Sequence, residues 1–185
     1  AWYNDAAATK LIEPNAMSLA TATADGRATV RTVLLKSVDA NGFSWFGNYG
    51  SRKGRDLDVN PWASLNFWWT PLQRQVRIEG PVTRVSAEES DEYYASRPRG
   101  SRLGAWVSPQ SQPIPDRAFL ENRLAALETE YADHDPQRPS WWGGWLLEPL
   151  TIEFWQGAPH RLHDRLLYAR TSTESDVWTI TRLAP

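Results

Sequence analysis

Apolar and polar positions alternate with a period of two along several stretches of this chain, and turn signals separate them. Met17–Thr23 alternates and runs into Asp25-Gly26, a pair that favours a tight hairpin. Thr29–Lys36 follows as a second strand rich in Val, Thr and Leu, and Asn41-Gly42 marks another turn before a third strand, Phe43–Gly47. Ala63–Trp69 and Gln73–Val85 read as a further hairpin pair. Gly144–Trp155 is strand-like, with Pro149 requiring an edge or a bulge. Arg161–Ala169 and Val177–Leu183 complete the strands.

Helices fall between them. Asn4–Ile12 reads as a short helix stopped by Pro14, and Ser51–Asn60 as one with Ser51 as N-cap and Pro61 past its end. Ser86 and Glu89 form a capping box opening a helix to about Ser96, and Pro98 and Gly100 are expected to break it. Asp116–Tyr131 is the longest, with Phe119, Leu120, Leu124, Leu127 and Tyr131 roughly on one face. Hairpins dominate and nothing alternates strand with helix, so the expected architecture is mainly β, an antiparallel β-barrel decorated by helices.

Composition sharpens this picture. The chain has 185 residues, no cysteine and 11 tryptophans. Absent cysteine excludes disulfides, a thiolate nucleophile and Cys-ligated metal centres. The tryptophans imply a Trp-heavy core, a large interface or a flat aromatic ligand. Net charge is −2, which argues against bulk attraction to nucleic acid or an anionic membrane. Yet the cations are 17 Arg and 3 Lys, a bias suited to fixed, bidentate recognition of phosphate or carboxylate. No apolar run reaches transmembrane length and no signal-peptide pattern opens the chain, so a cytoplasmic location is expected.

There is no glycine-rich dinucleotide or P-loop motif and no nucleophile elbow. His160-x-x-His163 lacks supporting carboxylates, and no metal is expected. Side chains must therefore hold any phosphate. Four places stand out: Arg31 and Lys36 on one strand; Arg52-Lys53 at a helix start, where backbone N–H groups favour an anion; Tyr93, Arg97 and Ser101 at spacings of four; and Arg161, His163 and Arg165, alternating on one strand face. Arg31 and Lys36 are five apart, so on an ideal strand they face opposite ways; either they touch different ligands, the favoured reading, or a bulge intervenes. Against each stands the bland alternative of a solvated face or a packing residue.

Arg31-Thr-Val-Leu-Leu-Lys36, Asn48-Tyr-Gly-Ser-Arg-Lys53, Arg74-Gln-Val76, Ser96-Arg-Pro-Arg99, Gly104-Ala-Trp-Val-Ser108, Gln110-Ser111, Trp142-Gly-Gly144, Ile152-Glu-Phe-Trp-Gln-Gly157 and His160-Arg-Leu-His-Asp-Arg165 occur in this order. In these motifs the chain resembles the pyridoxamine 5′-phosphate oxidase family, from about Glu13 to Pro185. The resemblance implies an FMN-binding split barrel over residues 1–185, without the family's N-terminal segment. It implies a homodimer with FMN at the interface, and O2-dependent oxidation of pyridoxine or pyridoxamine 5′-phosphate to pyridoxal 5′-phosphate with release of H2O2. It places Arg31, Thr32, Val33, Leu34, Leu35, Lys36, Phe46, Gly47, Arg52, Lys53, Gln75, Gln110, Ser111, Trp155 and Arg165 at FMN. Lys36, Tyr93, Arg97 and Ser101 match positions at the substrate phosphate; Arg161, Leu162 and His163 match positions at the substrate, with Arg161 and His163 at its reacting end. Phe46, where some relatives have Tyr, and Pro109, where a polar residue is usual, depart from the pattern. A flavin oxidase of another aromatic substrate, such as a phenazine precursor, and a non-catalytic FMN- or pyridoxal-phosphate-binding protein are the competing expectations.

Overall fold

The computed structural model describes residues 1–185. Ten strands and five α-helices follow one another as α1 (Trp2–Ala7), β1 (Ala16–Ala22), β2 (Ala28–Leu34), β3 (Ser37–Val38), β4 (Phe43–Asn48), α2 (Arg52–Val59), β5 (Trp62–Trp69), β6 (Arg74–Arg84), α3 (Ala87–Ser96), α4 (Arg99–Val107), α5 (Arg117–Glu130), β7 (Trp142–Leu147), β8 (Thr151–Gln156), β9 (Asp164–Ala169) and β10 (Thr179–Arg182). All pairings are antiparallel, as the hairpin pattern requires.

The long strand β6 organises the sheet. Its residues Arg74–Glu79 lie between β5 and β8, while Val82–Arg84 pair with β7. The ladder therefore forks. One path runs β6-β5-β1-β2 and the other β6-β7-β4-β3. The amide of Lys36, just past β2, donates to Ser44 O on β4 at 2.9 Å, which joins the two paths. The result is a curled, half-closed barrel, with β8, β9 and β10 extending from β6 as a flap.

Alternation explains the core. Leu19, Leu65 and Ile78 sit opposite one another on β1, β5 and β6, each with 0% of its surface exposed, and Ile152 continues the row on β8. Trp45 and Trp145 are cross-strand partners that stack with ring centroids 6.1 Å apart. Adjacent Trp68 and Trp69 do take opposite faces of β5: Trp69 is 4% exposed and Trp68 48%. Val30, Trp68, Leu162 and Ile180 leave large apolar surface uncovered on this chain.

Four expectations need correction. The first helix spans Trp2–Ala7 rather than Asn4–Ile12, because Trp2 meets Phe154 edge-on and Ala6 enters the core while Ile12 stays in solvent. Helix α3 does end at Ser96, ahead of Pro98, but Gly100 does not break helical structure: Pro98 is the N-cap of a further helix, α4, and Gly100 lies in its first turn. Gly144–Trp155 is two strands, and Pro149 lies in the corner between β7 and β8. Arg161 is not on a strand: it ends a short 3-10 turn, Pro159–Arg161, and β9 begins only at Asp164.

Replacing Leu65 by Ala deletes buried methyl groups from the centre of the Leu19–Leu65–Ile78 row. Unfolding in urea is expected to show a loss of about 2–5 kcal/mol; a loss below about 1 kcal/mol would mean that this row is not the core.

Candidate functional site

Helix α2 begins the site. Ser51 caps it in extended conformation, its Oγ accepting from the Gly54 amide at 3.4 Å. Gly54 has no side chain because a Cβ there would lie 1.9 Å from Tyr49 O. That close approach seats the first turn against the β4–α2 loop and carries Lys53 inward. Lys53 is only 7% exposed, and its ammonium donates to Ser51 Oγ at 2.9 Å and Gln110 Oε1 at 3.0 Å. A third N–H remains for a ligand. Burial, with Arg31 nearby adding to it, pulls the Lys53 pKa down to about 8.

Beside Lys53 a cavity of about 830 Å³ opens between β2, β4, α2 and the α3–α4 corner. Its lining includes Arg31, Lys36, Arg52, Lys53 and Arg97, and no Asp or Glu. Arg52 donates through Nε to Asp56 at 3.0 Å, so its terminal NH2 groups keep their donors. Arg97 sits at the end of α3 with its guanidinium 4.5 Å from the Trp142 ring centroid. Its Nη1 is buried and has no hydrogen-bond partner in the protein. A buried, unpaired donor costs about 1–3 kcal/mol, which an anion in the cavity would offset. Tyr93 stacks on Phe46 at 4.1 Å, and the Lys36 ammonium lies 5.9 Å from the Tyr93 ring. Ser101, in the first turn of α4, completes this wall.

The structure gathers Arg31, Thr32, Val33, Leu34, Lys36, Phe46, Gly47, Arg52, Lys53, Tyr93, Arg97, Ser101, Gln110 and Ser111 around one cavity. Arg31 and Lys36 both line this cavity, Arg31 from within β2 and Lys36 from just beyond its end at Leu34. Tyr93, Arg97 and Ser101 converge across the bend at Pro98, not along one helix. Leu35 is the exception in its segment, since it turns into the core and is 7% exposed.

The other named residues lie elsewhere on the chain. Gln75, Trp155 and Arg165 stand opposite one another on β6, β8 and β9. Trp155 has the His163 ring 4.5 Å away on one side and Trp68 at 5.8 Å. Arg165 grips buried Glu153 with Nε and Nη2, at 2.8 and 3.2 Å, and its Nη1 donates to Ala184 O at 2.8 Å. Those bonds, with Arg77 also donating, hold the Glu153 carboxyl below its usual pKa. His160 and Arg161 both take positive φ, 58° and 62°, a costly backbone for non-glycine residues that thrusts Arg161 and Leu162 into solvent. The Ala158 amide donates to His163 Nδ1 at 3.1 Å. With β9 starting at Asp164, Arg161, His163 and Arg165 do not share one strand face as the alternation suggested. None of Gln75, Trp155, Arg161, Leu162, His163 and Arg165 lines the cavity.

Sequence reasoning missed several participants. Thr29, Val30, Pro98 and Trp142 line the cavity, and Asp56 and Glu153 are the buried carboxylates behind the arginines. The i, i+4 spacing of Arg52 and Asp56 was a readable signal. Glu153, one charge inside an apolar strand, was another.

A family model described as pyridoxamine 5′-phosphate oxidase matches residues 3–131, and one described as the pyridoxine 5′-phosphate oxidase C-terminal dimerisation region matches residues 142–185. A pyridoxine/pyridoxamine 5′-phosphate oxidase of Burkholderia multivorans is 58% identical over 184 residues, covering 100% of this chain and 86% of that protein. One from Salinibacter ruber is 55% identical over 186 residues, covering 100% and 86%. Among solved structures, PhzG from Burkholderia lata in complex with tetrahydrophenazine-1-carboxylic acid superposes with a TM-score of 0.92 at 33% identity, covering 100% of this chain and 89% of that one. An FMN-binding, pyridoxamine 5′-phosphate oxidase-related protein from Nostoc punctiforme shares the fold, with a TM-score of 0.74 at 19% identity over 95% and 90% of the two chains. Two family models that together span most of the sequence, and relatives identical at more than half of their aligned positions, place this chain in the pyridoxamine 5′-phosphate oxidase family.

Proposed function

We propose that the protein is an FMN-dependent oxidase that converts pyridoxamine or pyridoxine 5′-phosphate to pyridoxal 5′-phosphate. The observation that carries this reading is the cavity: five cationic side chains and no carboxylate line it, in a chain of net charge −2. Such a site suits ligands with more than one phosphate charge, and its volume falls within the roughly 300–1,000 Å³ of small-molecule sites. The residues fit a flavin phosphate, because Lys53 has an unused ammonium N–H and Arg52 unused terminal donors at the start of α2. The buried, unpartnered Nη1 of Arg97, with Lys36, Tyr93 and Ser101, suits the substrate phosphate.

FMN, when bound, supplies the two-electron acceptor, and O2 takes the electrons on as H2O2; pyridoxamine phosphate also releases ammonia. The chain's own groups bind and orient. Charge-assisted bonds from Lys36 and Arg97 hold the substrate phosphate at about 1.5–3 kcal/mol each. This is binding shared by ground and transition states, so it acts mainly on KM. Arg161, with donors and no acceptor on its guanidinium, serves as a positioning group at the reacting end. His163 accepts the Ala158 amide at Nδ1, so its neutral ring carries the proton on Nε2 and offers a donor there. Trp155 and His163 form a continuous ring surface. Because the Gln75–Trp155–Arg165 group and the Arg161–His163 loop lie off the cavity, the reading includes a homodimer in which one chain's cavity meets the other's flap. The match of residues 142–185 to a dimerisation region supports this.

The likeness to PhzG supports a second reading, oxidation of a phenazine precursor by the same flavin site. Oxygen uptake by the FMN-loaded protein separates the two. Turnover of pyridoxamine 5′-phosphate with appearance of pyridoxal 5′-phosphate is expected. Activity on dihydrophenazine-type substrates alone would favour the second reading, and bound flavin without turnover would mark a binding protein.

The Lys53 pKa gives a pH test. Below about pH 8 the ammonium is charged and attracts the FMN phosphate; above it the free protein loses that charge. FMN affinity is expected to hold steady near pH 7 and to fall as pH rises through about 8, and Lys53→Met should flatten the profile. An affinity indifferent to pH up to about 9.5 would remove Lys53 from the phosphate site. For His163, 15N chemical shifts of the neutral ring should report the Nε2–H tautomer. An Nδ1–H signal would contradict the Ala158 bond and the donor role.

A further inference from the structure

Asp56 lies behind the cavity, outside its lining, and only 3% of it is exposed. No other carboxylate pairs with Arg31 or Arg52. Its Oδ1 accepts from Arg52 Nε at 3.0 Å. Its Oδ2 accepts from two hydroxyls, Thr21 Oγ1 on β1 at 2.7 Å and Thr29 Oγ1 on β2 at 2.9 Å. Those same hydroxyls accept from Arg31: Nη1 donates to Thr21 at 2.6 Å and Nη2 to Thr29 at 2.5 Å. Arg31 Nη2 is also 3.7 Å from the carboxylate itself. Each threonine thus passes a hydrogen bond from the guanidinium to the carboxylate. Hydrogen bonds from Thr21, Thr29 and Arg52 outweigh burial and keep Asp56 ionised, its pKa below the usual carboxylate range.

We infer that Asp56 is the positioning residue of the phosphate cradle, fixing both arginines and so making the site selective for a phosphorylated flavin over an unphosphorylated one. This rests on the proposed FMN reading. The argument is one of donors and acceptors. Thr21 and Thr29 accept from Arg31 and spend their own protons on position 56, so the group there accepts from both hydroxyls and, on its other side, from Arg52 Nε. A carboxylate does so. An amide serves only one side: turned one way, its NH2 cannot receive the threonine protons, so both hydroxyls must reorient and loosen their hold on Arg31; turned the other way, it opposes Arg52 Nε. Arg52 is half exposed and has no other protein partner, so without Asp56 nothing aims it. Charge alone argues the reverse, because removing a carboxylate near a cavity should strengthen anion binding. The two effects therefore predict opposite signs.

Quenching of flavin fluorescence measures this directly, with FMN and riboflavin as paired probes. Asp56→Asn is expected to weaken FMN binding by about tenfold or more while riboflavin binding changes by less than about twofold. Thr29→Val, which removes one bridging hydroxyl and no charge, should weaken FMN by a few-fold and spare riboflavin. It carries the test if Asp56→Asn fails to fold. FMN bound by Asp56→Asn as tightly as by the wild type, or more tightly, would overturn the inference. So would equal losses for both flavins, the mark of general destabilisation, or a Thr29→Val protein indistinguishable from the wild type. Should the wild-type protein itself bind no FMN, the flavin reading fails instead, a result distinct from all of these.

Discussion

Lys53 carries an ammonium group into the wall of the barrel, where only a serine hydroxyl and a glutamine oxygen receive it. Desolvating a charge is costly, and the depressed pKa of Lys53 records part of that cost. Much of the neighbouring structure follows from keeping this charge in place. Ser51 must cap α2 and face the ammonium at once. Gly54 must be without a side chain so that the helix can approach Tyr49. Gln110 must return from the far side of α4. Arg31 and Arg52 then crowd the same region, and Asp56 with its two threonines balances them. A folded chain that accumulates positive charge on one side of a cavity, and confines its acids behind it, stores electrostatic energy that an anion can release.

Much of this was legible in the residues. Alternation in Met17–Thr23 pointed correctly to strand β1, and the hairpin signals at Asp25-Gly26 and Asn41-Gly42 to the antiparallel architecture. The opposite faces of Trp68 and Trp69 are what a strand's period of two requires of adjacent residues. The failures have physical causes. Gly100 reads as a helix breaker, yet it lies in the first turn of α4, a further helix that Pro98 caps after α3 has ended where expected. The alternation of Arg161, His163 and Arg165 mimics a strand, but two successive residues in the left-handed region turn the backbone before β9 starts. The spacing of Arg52 and Asp56 and the lone charge of Glu153 were readable, but their burial was not, because the fold brings Thr21, Thr29 and Arg31 to Asp56 and Arg165 to Glu153 from other strands.

The tryptophans divide along the same line. Trp45, Trp69, Trp142 and Trp145 are buried and support the barrel. Trp68 and Trp155 pair on the flap side, beside His163, where an aromatic surface has a use beyond packing. Composition could show the excess of indole; only the strand faces could apportion it between core and surface.

Strand β6 has a further consequence, for the order in which the chain can fold. Its N-terminal end is bridged to β8 by Arg74 and Gln156, residues 82 positions apart, with α3, α4, α5 and β7 between them. The β5–β6 hairpin can form locally, but the flap cannot dock until that long loop closes. A topology so dependent on distant pairings belongs with slow-folding proteins, on a timescale of about milliseconds to seconds rather than microseconds. While it waits, the free edge of β6 is an exposed strand template, and a nascent chain has to keep that edge from pairing with another molecule.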